Sequence, residues 1–67
     1  MKQIVTAPDM SCNHCKITIE KAVKLLPGIN QVNADPDTKK VEIDFDDSMV
    51  TIDDIKRAIE EAGYEAT

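Results

Sequence analysis

The apolar residues of this chain repeat with two different periods, and the order of these periods constrains its fold more than any other feature. In residues 16–26 and again in residues 52–62, apolar side chains follow the three- and four-residue spacing of an amphipathic helix. Residues 41–45 instead alternate apolar and acidic side chains, which predicts a strand with one buried face. Residues 2–7 predict a first strand, and residues 29–34 show a weaker strand pattern.

These segments follow one another as β-α-β-β-α-β when a short last strand is counted at residues 64–67. That order predicts an α+β, ferredoxin-like fold, in which a four-stranded antiparallel sheet carries both helices on one face. No linker or internal repeat interrupts the pattern, so we expect residues 1–67 to form a single domain. The second helix also has clear boundary signals. Thr51 and Asp54 predict a capping box at its start, and Gly63 is typical of a helix end.

Composition and charge exclude several classes of function. A chain of 67 residues needs nearly all its apolar side chains for a core, which leaves little for a deep substrate pocket. The formal net charge is −5 and the only aromatic residues are Tyr64 and Phe45, which argues against nucleic-acid binding. No stretch is apolar enough to span a membrane, and the N-terminus lacks the apolar run of a secretory signal. We therefore expect a cytoplasmic protein.

The reactive side chains are concentrated in residues 9–16, DMSCNHCK, which contain both cysteines of the chain. Extending the first helix stripe back by one turn places Cys15 on the first helical turn and leaves Cys12 in the preceding loop. A disulfide across so short a loop stabilises little, and the cytoplasm keeps thiols reduced, so metal binding or redox chemistry remains. Because the start of a helix lowers thiol pKa, we expect Cys15, and to a lesser degree Cys12, to be partly thiolate.

In this setting the segment MSCNHC is similar to the M-x-C-x-x-C motif of the heavy-metal-associated domain family. The resemblance covers nearly the whole chain. KAVKLLPGINQV resembles the first helix and second strand of that family, VEIDFDD resembles its third strand, and TIDDIKRAIEEAGYEA resembles its second helix and the following loop. The family comprises small cytosolic copper chaperones and the N-terminal modules of metal-pumping P-type ATPases.

The resemblance implies roles for individual residues of this chain. Cys12 and Cys15 correspond to the metal-binding cysteines of the family, and Met10 corresponds to its semi-buried methionine. Tyr64 corresponds to the aromatic residue that bacterial chaperones carry near the metal loop. Asp9 departs from the family, which usually has glycine there, and its carboxylate could change the loop backbone or add an oxygen ligand.

The predicted function is that of a cytosolic copper(I) chaperone, a carrier and not an enzyme. Cu(I) prefers thiolate sulfur, and two ligands leave it open to a third thiolate from a partner, so the metal passes by ligand exchange. The implied partner is the metal-binding domain of a copper-transporting P-type ATPase or a similar acceptor. We expect a monomer without metal, with a copper-bridged dimer as a further loaded form. The initiating methionine just before the first strand favours a free-standing chaperone over a clipped module.

Several alternatives stay open. A Zn(II) or Hg(II) module from a transporter or reductase would use the same cysteines, but zinc prefers four ligands and would need His14, Asp9 or solvent. A dithiol redox protein would also place C-x-x-C at a helix start, although a thioredoxin-like fold requires a longer chain. We expect His14 to face solvent and Met10 to anchor the loop in the core. Tyr64 either covers the core or shields the site.

Overall fold

The computed structural model describes all 67 residues and contains two helices and three strands. The elements are β1 (Lys2–Thr6), α1 (Asn13–Lys24), β2 (Ile29–Asp35), β3 (Lys40–Phe45) and α2 (Ile52–Glu61). The strands form an antiparallel sheet in the order β1-β3-β2, so the third strand of the chain is the central one. The α+β class and the order of elements through α2 agree with the prediction. No helix is long and apolar enough to cross a membrane.

The prediction of a four-stranded sheet is wrong, because residues 64–67 form no strand. Thr67 alone pairs with β1: its N–H donates to the Thr6 carbonyl and its carbonyl accepts from the Thr6 N–H, each at 2.9 Å. Glu65 donates its backbone N–H to the carboxylate of Asp9 at 3.3 Å and does not extend the ladder. The pairing of the C-terminal segment with the free edge of β1 is therefore limited to one residue.

The core lies between one face of the sheet and the two helices. Val41, Ile43 and Phe45 of β3 are 0–1% exposed, as their alternation with acidic residues predicted. All buried residues are apolar: Val5, Ala7, Met10, Ile19, Val23, Val32, Ala34, Val41, Ile43, Phe45, Val50, Ile55, Ile59 and Ala66. Each large aliphatic side chain in this group contributes about 1.5–3 kcal/mol by leaving water. The fold is therefore held by apolar packing and contains no buried charge that a ligand must neutralise.

Helix α1 begins before the predicted stripe and ends earlier than its last residue. It starts at Asn13 and ends at Lys24, whereas the stripe predicted helix to Leu26. The Leu26 N–H donates to the carbonyl of Val23 at 3.0 Å, three residues back, so the last turn is tightened. Pro27 explains the early end, because a proline disfavours helical backbone at the residue before it.

A side chain of α1 also bonds to one edge of the sheet. Glu20 accepts a hydrogen bond from the Ala34 N–H at 3.0 Å through its carboxylate. Ala34 lies on β2, an edge strand whose outward N–H groups have no neighbouring strand to bond. The contact satisfies one of these donors and fixes α1 against the sheet.

The ends of α2 confirm both of their sequence signals. Thr51 Oγ1 accepts from the Asp54 N–H and the Asp54 carboxylate accepts from the Thr51 N–H, each at 3.2 Å, which is a capping box. At the other end, the N–H groups of Gly63 and Tyr64 donate to carbonyls of the last turn at 3.0 and 3.2 Å. Gly63 has φ +99°, as this type of helix end requires. The reversal brings Tyr64 back against the core.

The two glycines allow a matched test of this packing. Both have positive φ, so alanine at either position costs about 1–2 kcal/mol from backbone conformation alone. At Gly28 a Cβ would also lie 2.8 Å from Met49 Cβ, whereas at Gly63 it would meet nothing within 4 Å. We expect Gly28→Ala to lower the free energy of unfolding more than Gly63→Ala, measured by urea denaturation. Equal losses would show that the contact with Met49 relaxes freely.

Candidate metal centre

Cys12 and Cys15 meet at the start of α1. Cys12 is the N-cap residue, with extended backbone at φ −154° and ψ 173°, and Cys15 follows in the first helical turn. One turn of helix therefore brings their sulfur atoms to 3.5 Å. Both are free thiols; Cys12 is exposed and Cys15 is half-buried. The positions of Cys12 in the loop and Cys15 in the helix agree with the sequence prediction. The pair therefore has one solvent-exposed cysteine and one that packs partly against the core.

The start of α1 has none of the side chains that usually satisfy a helix N-terminus. The Cys12 side chain makes no capping hydrogen bond, and the first turn contains no acidic residue. Cys12 takes part in the helix through its carbonyl, which accepts the hydrogen bond from the Lys16 N–H four residues later at 3.1 Å. The free N–H groups and the positive end of the helix dipole favour negative charge at this point. A thiolate on Cys15, in the first turn, would therefore lie in a favourable field.

Tyr64 brings a hydroxyl group to Cys15. A hydrogen bond from this hydroxyl is the largest cause that lowers the pKa of Cys15 to about 6, followed by contacts with the Ser11 backbone and the Cys12 side chain. The same hydrogen bond raises the pKa of Tyr64, because a phenolate could not donate and would repel the sulfur. At neutral pH Cys15 is therefore mainly thiolate and Tyr64 stays a neutral donor. The sequence predicted the direction for Cys15, but it attributed the effect to the helix.

Met10 anchors the loop that carries Cys12. Its side chain is 0% exposed and belongs to the core, as the sequence analysis expected. Its backbone is held as well: the Met10 N–H donates to the Ala7 carbonyl at 3.0 Å, and its carbonyl accepts from Lys39 Nζ at 2.7 Å. Lys39 was not recognised from the sequence. Nothing in the pattern around it signals a contact, since a helix and a strand separate it from the loop.

Asp9 and His14 lie near the cysteines in sequence without joining them in a cluster of possible ligands. The Asp9 carboxylate accepts from the Glu65 N–H, and so ties the loop before Cys12 to the segment after Tyr64. His14 is exposed on α1. No group of three or more His, Cys, Asp or Glu side chains is placed to hold a metal ion. The structure therefore brings together the two sulfurs and the Tyr64 hydroxyl. No His, Asp or Glu side chain joins them in a group that could hold a metal ion.

The family model of the heavy-metal-associated domain matches residues 4–65, which include both cysteines and every element except the first two residues of β1. The chain belongs to the heavy-metal-associated domain family. The motif and the arrangement of strands and helices on which the sequence resemblance rested are thus those of this family.

Individual relatives agree with this assignment over most or all of their length. A copper chaperone, CopZ, from Staphylococcus epidermidis is 36% identical over 64 residues, which are 96% of this chain and 94% of that protein. The structure of a CopZ metallochaperone superposes with a TM-score of 0.96 at 31% identity and covers 100% of both chains. A copper-binding domain from a P-type ATPase superposes with a TM-score of 0.95 at 30% identity, covering 98% of this chain and 89% of that one. The chain therefore has the ferredoxin-like architecture of these proteins, with three strands.

Removing the Tyr64 hydroxyl should weaken the thiolate at Cys15. In the wild type, the alkylation rate of Cys15 should rise with pH around a pKa of about 6 and then level off. In Tyr64→Phe the midpoint should move upward, because the ring remains and only the donor is lost. Alkylation by iodoacetamide at a series of pH values, with the label assigned by fragmentation mass spectrometry, measures both midpoints. An unchanged midpoint would contradict the hydrogen bond as the main cause.

The same pKa shift has a consequence for stability. The folded-state pKa of Cys15 is below the ordinary value of 9.0, so folding favours the thiolate. This contribution to the free energy of unfolding is complete above pH 9.0 and is lost as the pH falls towards about 6. In Tyr64→Phe the slope of stability against pH over that window should be shallower.

Proposed function

We propose that this protein is a cytoplasmic copper(I) chaperone that binds the ion through Cys12 and Cys15. The observation that carries the proposal is a pair of thiols 3.5 Å apart with no third His, Cys, Asp or Glu ligand at hand. Cu(I) is a soft ion that selects thiolate sulfur, and two or three such ligands satisfy it. The copper chaperones among the relatives support the same assignment.

The two cysteines differ in a way that suits capture and release. Cys15 is half-buried and its lowered pKa reduces proton competition, so it is the firmer ligand. Cys12 is exposed, and rotation of its side chain can bring the second sulfur to the far side of the ion. The ion would then be held by one sulfur on the helix and one at its N-cap, at a point that solvent and partners can reach.

Transfer would proceed by ligand exchange. A thiolate of the acceptor adds to the two-coordinate ion, and the exposed Cys12 then leaves as its bond is replaced. A second acceptor thiolate then adds and Cys15 leaves in the same way, so each Cu–S bond that is lost is replaced by a new one. Copper stays Cu(I) throughout. No covalent bond of a substrate is made or broken, so the protein acts as a carrier and not as an enzyme.

The acceptor we propose is the metal-binding domain of a copper-transporting P-type ATPase. The support is the close structural likeness between this chain and such a domain, with a TM-score of 0.95. Two domains of the same fold would present two similar thiol pairs, so the ion can move between sites of comparable affinity. We expect the metal-free chaperone to be a monomer, and a dimer bridged by copper would use the same exposed sulfur on each copy.

Zinc is less well suited to the site than copper. Zn(II) in proteins is usually held by four ligands in a tetrahedron, and neither His14 nor Asp9 forms a ligand cluster with the cysteines. Asp9 is instead engaged with the backbone of Glu65. Hg(II), a soft ion like Cu(I), would accept the same two thiolates, so geometry does not separate these two metals. The copper chaperones among the relatives favour copper.

Serine at either cysteine should abolish tight copper binding without unfolding the chain. The core consists of apolar residues from the sheet and helices, and neither cysteine is buried in it. Native mass spectrometry under reducing conditions should detect copper on the wild type, with its stoichiometry, and none on Cys12→Ser or Cys15→Ser. Circular dichroism of all three metal-free proteins should agree. A wild type that is unfolded until metal is added would favour a structural zinc site instead.

Copper should be retained much more tightly than zinc. In competition with a chelator for each metal under reducing conditions, the wild type should keep Cu(I) at chelator concentrations that remove Zn(II) completely. His14→Ala should leave the copper affinity nearly unchanged, because His14 is exposed and belongs to no ligand cluster. Tighter zinc binding, or a large loss of copper affinity in His14→Ala, would contradict the copper assignment.

A further inference from the structure

Lys39 connects the turn between β2 and β3 to the loop in front of α1. Its Nζ donates to the Met10 carbonyl at 2.7 Å, and its own carbonyl accepts from the Ala7 N–H at 2.8 Å. The side chain and the backbone of one residue thus hold two points of the same loop. Lys39 is half-buried, so water competes less for this contact than at an open surface.

The backbone at Lys39 has a conformation that lysine rarely adopts. Its φ is +65°, in the left-handed region that favours glycine or asparagine. The turn imposes this geometry, because the Lys39 N–H donates to the Asp35 carbonyl and the Asp37 N–H donates to the Asp35 carboxylate, both at 2.9 Å. Backbone conformation alone therefore does not favour lysine here. The contact that its ammonium group makes with the loop is what this side chain adds.

The loop depends on such a contact because α1 lacks an ordinary N-cap. Serine, threonine, asparagine or aspartate at this position would bond the first turn through its side chain, but the Cys12 thiol makes no such bond. The position of Cys12 is therefore set from outside the helix, chiefly through Met10 two residues earlier. The buried Met10 side chain fixes one side of that residue, and Lys39 fixes its carbonyl.

We propose that Lys39 is a positioning residue for the metal site. Its ammonium group holds the Met10 carbonyl, and this restricts the backbone of residues 10–12 so that Cys12 stays beside Cys15 before metal arrives. A site already in its binding conformation loses less conformational entropy when the ion binds, which strengthens binding. The consequence for metal affinity rests on the proposed copper function, whereas the ordering of the loop in the metal-free protein does not.

Lys39→Met and Lys40→Met form a matched pair for the test. Methionine is unbranched like lysine but has no ammonium group, and both variants lose one positive charge. Lys40 is exposed, and its ammonium group makes no hydrogen bond to the loop, unlike that of Lys39. Amide hydrogen exchange of the reduced, metal-free protein, followed by NMR, reports on the hydrogen-bonded Met10 amide of the loop and on core amides such as that of Ile43. Copper(I) affinity is then measured by competition with a chelator.

In Lys39→Met, exchange at the Met10 amide, whose N–H donates to the Ala7 carbonyl, should accelerate on the order of tenfold, as expected for loss of a hydrogen bond to a charged group. Core amides should keep their protection, and copper affinity should fall by a similar or smaller factor. Lys40→Met should match the wild type in both measurements. Lys39→Arg retains a cationic donor and should recover much of the protection of the loop.

Three results would overturn the proposal. The first is wild-type exchange at the Met10 amide in Lys39→Met, and the second is an equal acceleration of the Met10 amide and the core amides, which would indicate a purely structural role. The third is an affinity loss in Lys40→Met as large as in Lys39→Met, which would indicate a general charge effect. If Lys39→Met fails to fold, Lys39→Gln serves in its place. A wild type that binds no copper would refute the proposed function, while the exchange measurements would still decide the role of Lys39.

Discussion

Packing of the two helices against one face of the sheet is the constraint on which the rest of the structure depends. Ile19 and Val23 set the position of α1, and Ile55 and Ile59 set that of α2. These four side chains are apolar and fully buried, so the packing needs no metal. It brings the start of α1 and the end of α2 to the same end of the molecule. The thiol pair and the Tyr64 hydroxyl are brought together by this packing.

The site combines a rigid support with an open surface. Met10 is buried among the core residues, whereas Cys12, only two residues later, is exposed. The chain thus changes from a buried side chain to an exposed one over two residues, which combines an anchored loop with an accessible thiol. This combination suits the proposed function, in which an ion is held firmly and is still reached by the thiolates of another protein.

Much of the fold could be predicted from local patterns. The alternation in β3 predicted which of its residues are buried, and the capping box at Thr51 and the glycine at position 63 predicted the ends of α2. The errors concern segments where a tertiary contact competes with the pattern. Residues 64–67 read as a strand, but Glu65 bonds the Asp9 carboxylate and only Thr67 pairs with β1. The sequence also predicted the end of α1 two residues too late, since Pro27 acts on the backbone before it.

The sequence by itself determined the thiol pair of the candidate site, because the types of side chain and their spacing are properties of the chain. Two cysteines three residues apart at a helix start meet on one side of a turn in any fold that keeps the helix. Only the tertiary structure decided the surroundings of those sulfurs. It placed the Tyr64 hydroxyl beside Cys15, tied Asp9 to Glu65, and brought Lys39 to the Met10 carbonyl. These contacts join residues far apart in the chain, and their partners become neighbours only when the apolar core forms, so no local pattern contains them.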